Sequence, residues 1–112
     1  MNKRMSAKKL LFVCTYNEMR SATAETVFTS EGWPAKSAGM ARSARKVLDE
    51  EMIRWADIVF VMEKKHREHI KELLAASSRK KRIIVLGIPD NYYYMEEQLV
   101  ELLKEKVKPH LA

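Results

Sequence analysis

Residues 10–28 read LLFVCTYNEMRSATAETVF, and this stretch decides the fold. Leu10, Leu11, Phe12 and Val13 form a continuous apolar run whose length suits a buried strand, taken as Lys8–Val13. From about Ser21 to Ser30 the chain reads as a helix, with Ala24, Val27 and Phe28 at helical spacing and Gly32 and Pro34 closing the element. Between strand and helix lies Cys14–Ser21, CTYNEMRS. A loop in this position turns backbone N–H groups inward and adds the positive end of the helix dipole, so an anion can sit in it. Thr15, Tyr16, Asn17, Glu18, Met19, Arg20 and Ser21 are therefore the candidate phosphate-binding residues, with Cys14 beneath the anion. The planar guanidinium of Arg20 suits two oxygens of a phosphoryl group at once. Inward N–H groups, Arg20 and the Ser21 hydroxyl all favour a thiolate at Cys14, and the implied chemistry is attack by sulfur on phosphorus.

Outward from this loop the pattern repeats. Ala35–Ala38 reads as a second strand, closed by Gly39 at a turn that a larger residue would resist. Ser43–Trp55 reads as a helix, with Val47, Leu48, Met52 and Trp55 on one face. Asp57–Met62, DIVFVM, is a third buried strand, and a helix from Glu63 to about Ala75 carries His66, Ile70, Leu73 and Leu74. Arg82–Ile88 is the fourth strand. After the loop Pro89–Tyr94, a last helix runs to about Val107, with Leu99, Val100, Leu102 and Leu103 inward and Pro109 ending it. Four alternations of strand and helix predict an α/β fold: a four-stranded parallel sheet with helices on both faces. Ligands in such sheets bind beyond the carboxyl ends of the strands. Cys14 and Asp90 both fall there and are expected to share one site.

At 112 residues the chain makes one domain, with residues 1–7 as a loose tail and 8–112 as the folded unit. The net charge of +6 raises the question of an anionic partner. The basic residues are spread, however: Lys3, Arg4, Lys8 and Lys9 at the start, Lys64, Lys65 and Arg67 in a helix, and the run Arg79–Arg82. With no aromatic-interleaved groove and no nucleic-acid motif, these read as solvated surface, and neither nucleic acid nor membrane is an expected partner. A single cysteine excludes an internal disulfide, and together with the lack of an 18-residue apolar span it points to a cytoplasmic protein, expected as a monomer. His66 and His69 lie three apart on one helix but lack a third ligand, so they read as surface histidines; no metal and no cofactor is expected.

A phosphocysteine route needs a proton donor for the leaving group and a base for the water that follows. Asp90, in the loop beyond the fourth strand, is the candidate for both. Tyr16, Tyr92 and Tyr93 are candidate substrate contacts that could wall a slot for an aromatic leaving group, with Tyr94 beside them.

Taken together, FVCTYNEMRS, KSAG, ADIVFVM and IPDNY resemble the nucleophile loop, second strand, third strand and acid loop of the low-molecular-weight protein tyrosine phosphatases, over nearly all of Lys8–Val107. The resemblance implies that Cys14 is the nucleophile, Arg20 the phosphate clamp, Asp90 the general acid and then base, Asn17 a loop-shaping residue and Ser21 a donor to the thiolate. It implies a phosphorylated protein or small phosphoester as substrate, and phosphate, sulfate or vanadate as loop ligands. Tyr16, Met19 and Ala22 stand where the family usually has Gly, a second Cys and Pro, and the acid loop reads Asp-Asn-Tyr for Asp-Pro-Tyr. Met19 removes the usual protecting disulfide, which leaves Cys14 open to irreversible oxidation. Glu18 places a carboxylate in an anion loop, and the segment between Gly39 and Asp57 is short for the family. Alternatives are an arsenate reductase regenerated by an external thiol, a non-catalytic phosphate-binding regulatory module, and a phosphocysteine carrier, which Arg20 disfavours.

Overall fold

The computed structural model describes residues 7–75 and 80–111. Most of the 1–7 tail, and Arg79 of the basic run, lie outside the described residues. The elements follow in the order β1 (Leu10–Cys14), α1 (Arg20–Ser30), β2 (Ala35–Gly39), α2 (Glu50–Trp55), β3 (Ile58–Val61), α3 (Lys64–Leu73), β4 (Arg82–Val85) and α4 (Glu97–Val107), and a 3-10 turn at Lys108–His110 closes the chain. The four strands form one parallel sheet in the order β2-β1-β3-β4. Among the described residues, no helix is long and apolar enough to cross a membrane.

The apolar run of β1 is continuous because the sheet is covered on both faces. Leu10, Phe12 and Cys14 pack into a cluster with Ala24, Val27 and Phe28 of α1 and Leu99, Leu103 and Val107 of α4. Leu11 and Val13 pack on the opposite face with Ile53 of α2 and Ile70 of α3. Alternate residues of one strand thus serve two cores, as a period of two requires. Phe12 stacks between Phe28 and Phe60, with ring centres 5.4 and 5.3 Å away. β1 is central, so its carboxyl end, Cys14, opens between β2 and β3.

Two expected elements are corrected by the structure. The helix assigned to Ser43–Trp55 begins only at Glu50, where the Asp49 side chain caps it by accepting the Met52 N–H at 2.8 Å. Residues 40–48 lie instead against the end of β2, through Gly39 N–H to Lys46 O at 2.7 Å and Leu48 N–H to Gly39 O at 2.9 Å; Val47 is exposed and Leu48 buried. Gly39 is needed for closeness, because a Cβ there would sit 2.5 Å from the Ala44 Cβ and 2.6 Å from the Thr15 carbonyl. The fourth strand stops at Val85, yet the chain keeps to β3: Leu86 N–H reaches Val61 O and Ile88 N–H reaches Met62 O, at 2.8 and 2.9 Å. This edge path delivers Ile88–Asp90 to the Cys14 end of the sheet.

Candidate active site

The Cys14–Ser21 loop is held from behind by the segment after β2. The carbonyls of Cys14, Thr15 and Tyr16 accept the backbone N–H groups of Met40, Ala41 and Arg45 at 2.9, 2.9 and 3.0 Å, and Asn17 O accepts Arg45 Nε–H at 2.9 Å. Four successive carbonyls therefore point outward. In a planar trans peptide the N–H opposes the carbonyl, so the N–H groups of Thr15 to Glu18 are directed to the inner side, which is what an anion nest needs. Asn17 N–H in fact reaches Cys14 Sγ at 3.2 Å. Asn17 takes a positive φ of 57°, a conformation that asparagine tolerates better than bulkier residues, and it is fully buried. Its Nδ2 donates to Ser21 Oγ at 2.7 Å, and Ser21 Oγ lies 3.0 Å from Cys14 Sγ. Asn17 thus shapes the loop and fixes the hydroxyl that faces the sulfur.

Arg20, the first residue of α1, is buried to 1% exposure. Its Nη1 donates to Glu63 Oε2 at 2.6 Å and to Ile88 O at 2.8 Å, and its Nε stands 3.7 Å from Asp90 Oδ1. The Nη1 bonds set the plane of the guanidinium and leave the Nε–H and Nη2 donors for an anion. Glu63 is held below the usual carboxylate range by the hydrogen bond from Arg20. Cys14, Tyr16, Glu18, Met19, Arg20 and Asp90 line one pocket of about 180 Å³. The nucleophile and acid candidates, 76 positions apart in the chain, are thus brought to one cavity.

Other candidates are not brought there. Tyr92 packs against the α1–α4 core, and Tyr93 is 76% exposed; neither lines the Cys14 pocket. Of the four tyrosines, only Tyr16 does. The Tyr94 hydroxyl lies 2.8 Å from Thr26 Oγ1, in an adjoining recess shared with Glu18 and Arg45.

His66, expected on the surface, is fully buried. Its Nδ1 accepts the Glu63 N–H and its Nε2 meets Thr15 Oγ1, both at 3.0 Å. Burial, reinforced by the charge of Arg20, pushes its pKa down from 6.5 to about 4. The unfolded chain therefore binds more protons than the folded one between these values. Stability is complete above about pH 6.5 and falls as pH drops from there to about 4, by on the order of 3 kcal/mol in total. Urea unfolding at pH 7 and pH 4.5 should show most of that loss in the wild type and little of it in His66→Gln; an equal loss in both would exclude His66 as its source.

Sequence reasoning missed Glu63, His66 and Arg45. Glu63 had a signal, as a polar residue directly beyond a buried strand at the ligand end of the sheet. The spacing Glu63-x-x-His66 has the form of a helix capping box with histidine in the third position. Arg45 had none, because its bonds to Tyr16 O and Asn17 O are made to a segment 28 to 29 positions earlier in the chain.

This topology, with the Cys14 loop after a central strand, is the fold of the low-molecular-weight protein tyrosine phosphatases. Solved structures that share it include such a phosphatase from Streptococcus pyogenes (18% identity over 93% of this chain and 91% of that one, TM-score 0.73). Others are Vibrio vulnificus Wzb in complex with benzylphosphonate (21%, 95% and 98%, 0.71) and the YwlE arginine phosphatase from Geobacillus stearothermophilus (22%, 92% and 94%, 0.66). No protein-family model and no curated protein matches the chain by sequence.

Proposed function

We propose that the protein is a cysteine-dependent phosphomonoester hydrolase of the protein tyrosine phosphatase type, acting through a phosphocysteine. The observation that carries this reading is the pocket that unites Cys14, Arg20 and Asp90 at the mouth of an inward-facing N–H nest. In the first step the Cys14 thiolate attacks phosphorus, the P–O bond to the leaving group breaks, and Asp90 gives its proton to the departing oxygen. In the second step Asp90 takes a proton from water, whose oxygen attacks phosphorus; the P–S bond breaks, releasing orthophosphate and the thiolate. Arg20 and the loop N–H groups bind the equatorial oxygens, where charge gathers in both transition states. Benzylphosphonate, held by the Vibrio neighbour, pairs an aromatic ring with a phosphonate, which supports an aryl phosphate at the Tyr16 mouth.

A second reading, hydrolysis of phosphoarginine, is favoured by Glu18, a carboxylate on the lining of the same pocket, and by the arginine phosphatase among the neighbours. Glu18 would pair with the guanidinium of such a substrate and repel a simple dianion. The test compares para-nitrophenyl phosphate with phosphoarginine, in the presence of a chelator and across pH 5 to 8. The aryl phosphate is expected to be turned over, with Asp90→Asn lowering kcat by about 10²-fold. Preference for phosphoarginine supports the second reading. No turnover of either, with orthophosphate still bound, would overturn the enzyme in favour of a phosphate-binding module.

A further inference from the structure

We infer that the first turn of α3 is a clamp on the anion loop, with His66 the positioning residue for its Thr15 end and Glu63 the partner of its Arg20 end. The inference rests on the reading of Cys14–Ser21 as the reacting loop. It is carried by two contacts that span 51 and 43 positions of sequence, His66 Nε2 to Thr15 Oγ1 at 3.0 Å and Glu63 Oε2 to Arg20 Nη1 at 2.6 Å. Thr15 directly follows Cys14, and Arg20, the first residue of α1, stands at the other end of the loop. The two gripping residues are one helical turn apart, so a shift of that turn moves both ends of the loop together.

The proton on the imidazole is located by its partners. Nδ1 accepts the Glu63 N–H, so a neutral ring carries its hydrogen on Nε2 and donates it to Thr15 Oγ1. That fixes the Thr15 hydroxyl and with it the side-chain rotamer. The Thr15 carbonyl is separately tied to Ala41 N–H, so the residue after the nucleophile is held at both its side chain and its backbone. The charged groups whose fields act on the ring are Arg20 of α1, Glu63 at the N-cap of α3, Lys65 of α3, and Asp90 from the loop beyond β4. An imidazolium would lose the Glu63 N–H acceptor and meet Arg20, whereas the neutral ring satisfies both its nitrogens.

A glutamine at position 66 can accept the Glu63 N–H through its carbonyl, as the third residue of a capping box does, and donate toward Thr15 through its amide. A leucine can do neither, and Thr15→Val removes the acceptor from the other side. The experiment measures orthophosphate affinity by calorimetry at pH 7, and kcat on para-nitrophenyl phosphate, for wild type, His66→Gln, His66→Leu, Thr15→Val and the double variant His66→Leu/Thr15→Val. His66→Leu and Thr15→Val are each expected to weaken orthophosphate binding by about 10-fold, with the double variant no worse than either, since contacting residues are not additive. His66→Gln should stay within about 3-fold of wild type in affinity and in kcat.

Additive losses, wild-type affinity in Thr15→Val, or His66→Gln failing as badly as Leu would each overturn the clamp. If His66→Leu does not fold, Thr15→Val and His66→Gln alone decide it, because Val preserves volume at a half-buried site. Orthophosphate affinity separates the two questions. A wild type that binds orthophosphate without turning over substrate sinks the hydrolase and leaves the clamp measurable; a wild type that does not bind orthophosphate sinks both.

Discussion

Cys14→Ser is expected to lower turnover of para-nitrophenyl phosphate by at least about 10⁴-fold while leaving orthophosphate bound. The hydroxyl replaces the thiol in the same surroundings, 3.2 Å from Asn17 N–H and 3.0 Å from Ser21 Oγ, so the loop has no reason to reorganise. Loop N–H groups and Arg20 then still meet the anion, and binding persists. What is lost is the nucleophile: a serine hydroxyl is far less reactive than a thiolate, and no general base stands among its hydrogen-bond partners to activate it. Stopped-flow turnover with matched orthophosphate calorimetry separates these effects. Residual activity within about 10²-fold of wild type would rule out the phosphocysteine.

Arg20→Lys is expected to reduce kcat by on the order of 10³-fold, with a smaller rise in KM. The guanidinium here is buried to 1% exposure and oriented by two Nη1 bonds, to Glu63 and to Ile88 O. A lysine brings one point charge on a flexible stem and can satisfy Glu63 or an anion, but not both in a fixed plane. The loss should fall mainly on kcat, because donors placed for equatorial oxygens act more strongly as charge gathers in the transition state than in the ground state. Stability should fall as well, by about 1–3 kcal/mol, since the Ile88 carbonyl is left without a donor and Glu63 with a poorer one. Steady-state kinetics with a parallel urea titration give both numbers. A loss confined to KM would mean that Arg20 only binds substrate and does not clamp the transition state.

Cys14, Arg20 and Ser21 were legible because their neighbourhood is local: a buried strand, a short loop and a helix, all within 19 residues. The strands were legible for a related reason, since a sheet covered on both faces makes continuous apolar runs. The segment 40–48 misled because Val47, Leu48, Met52 and Trp55 fall at helical spacing, yet Met40, Ala41 and Arg45 donate to the carbonyls of a loop 26 to 29 positions earlier. A periodicity cannot report hydrogen bonds made to a distant segment. Tyr92 and Tyr93 misled similarly: the acid loop reaches the pocket at Asp90 and then turns its next ring onto the core.

The sequence by itself determined the fold class, the strand order of appearance and the strand–loop–helix that carries Cys14 and Arg20, because each depends on contiguous residues and on hydrophobic burial that repeats at a fixed period. Only the tertiary structure decided what aims the loop. Arg45 behind it, Glu63 on Arg20, His66 on Thr15 and the Ile88 carbonyl all act across 28 to 68 positions of chain. These are single polar contacts, directional and without periodicity, and they come into being only when parallel crossovers carry the carboxyl ends of β1, β2, β3 and the chain beyond β4 to the same edge of the sheet.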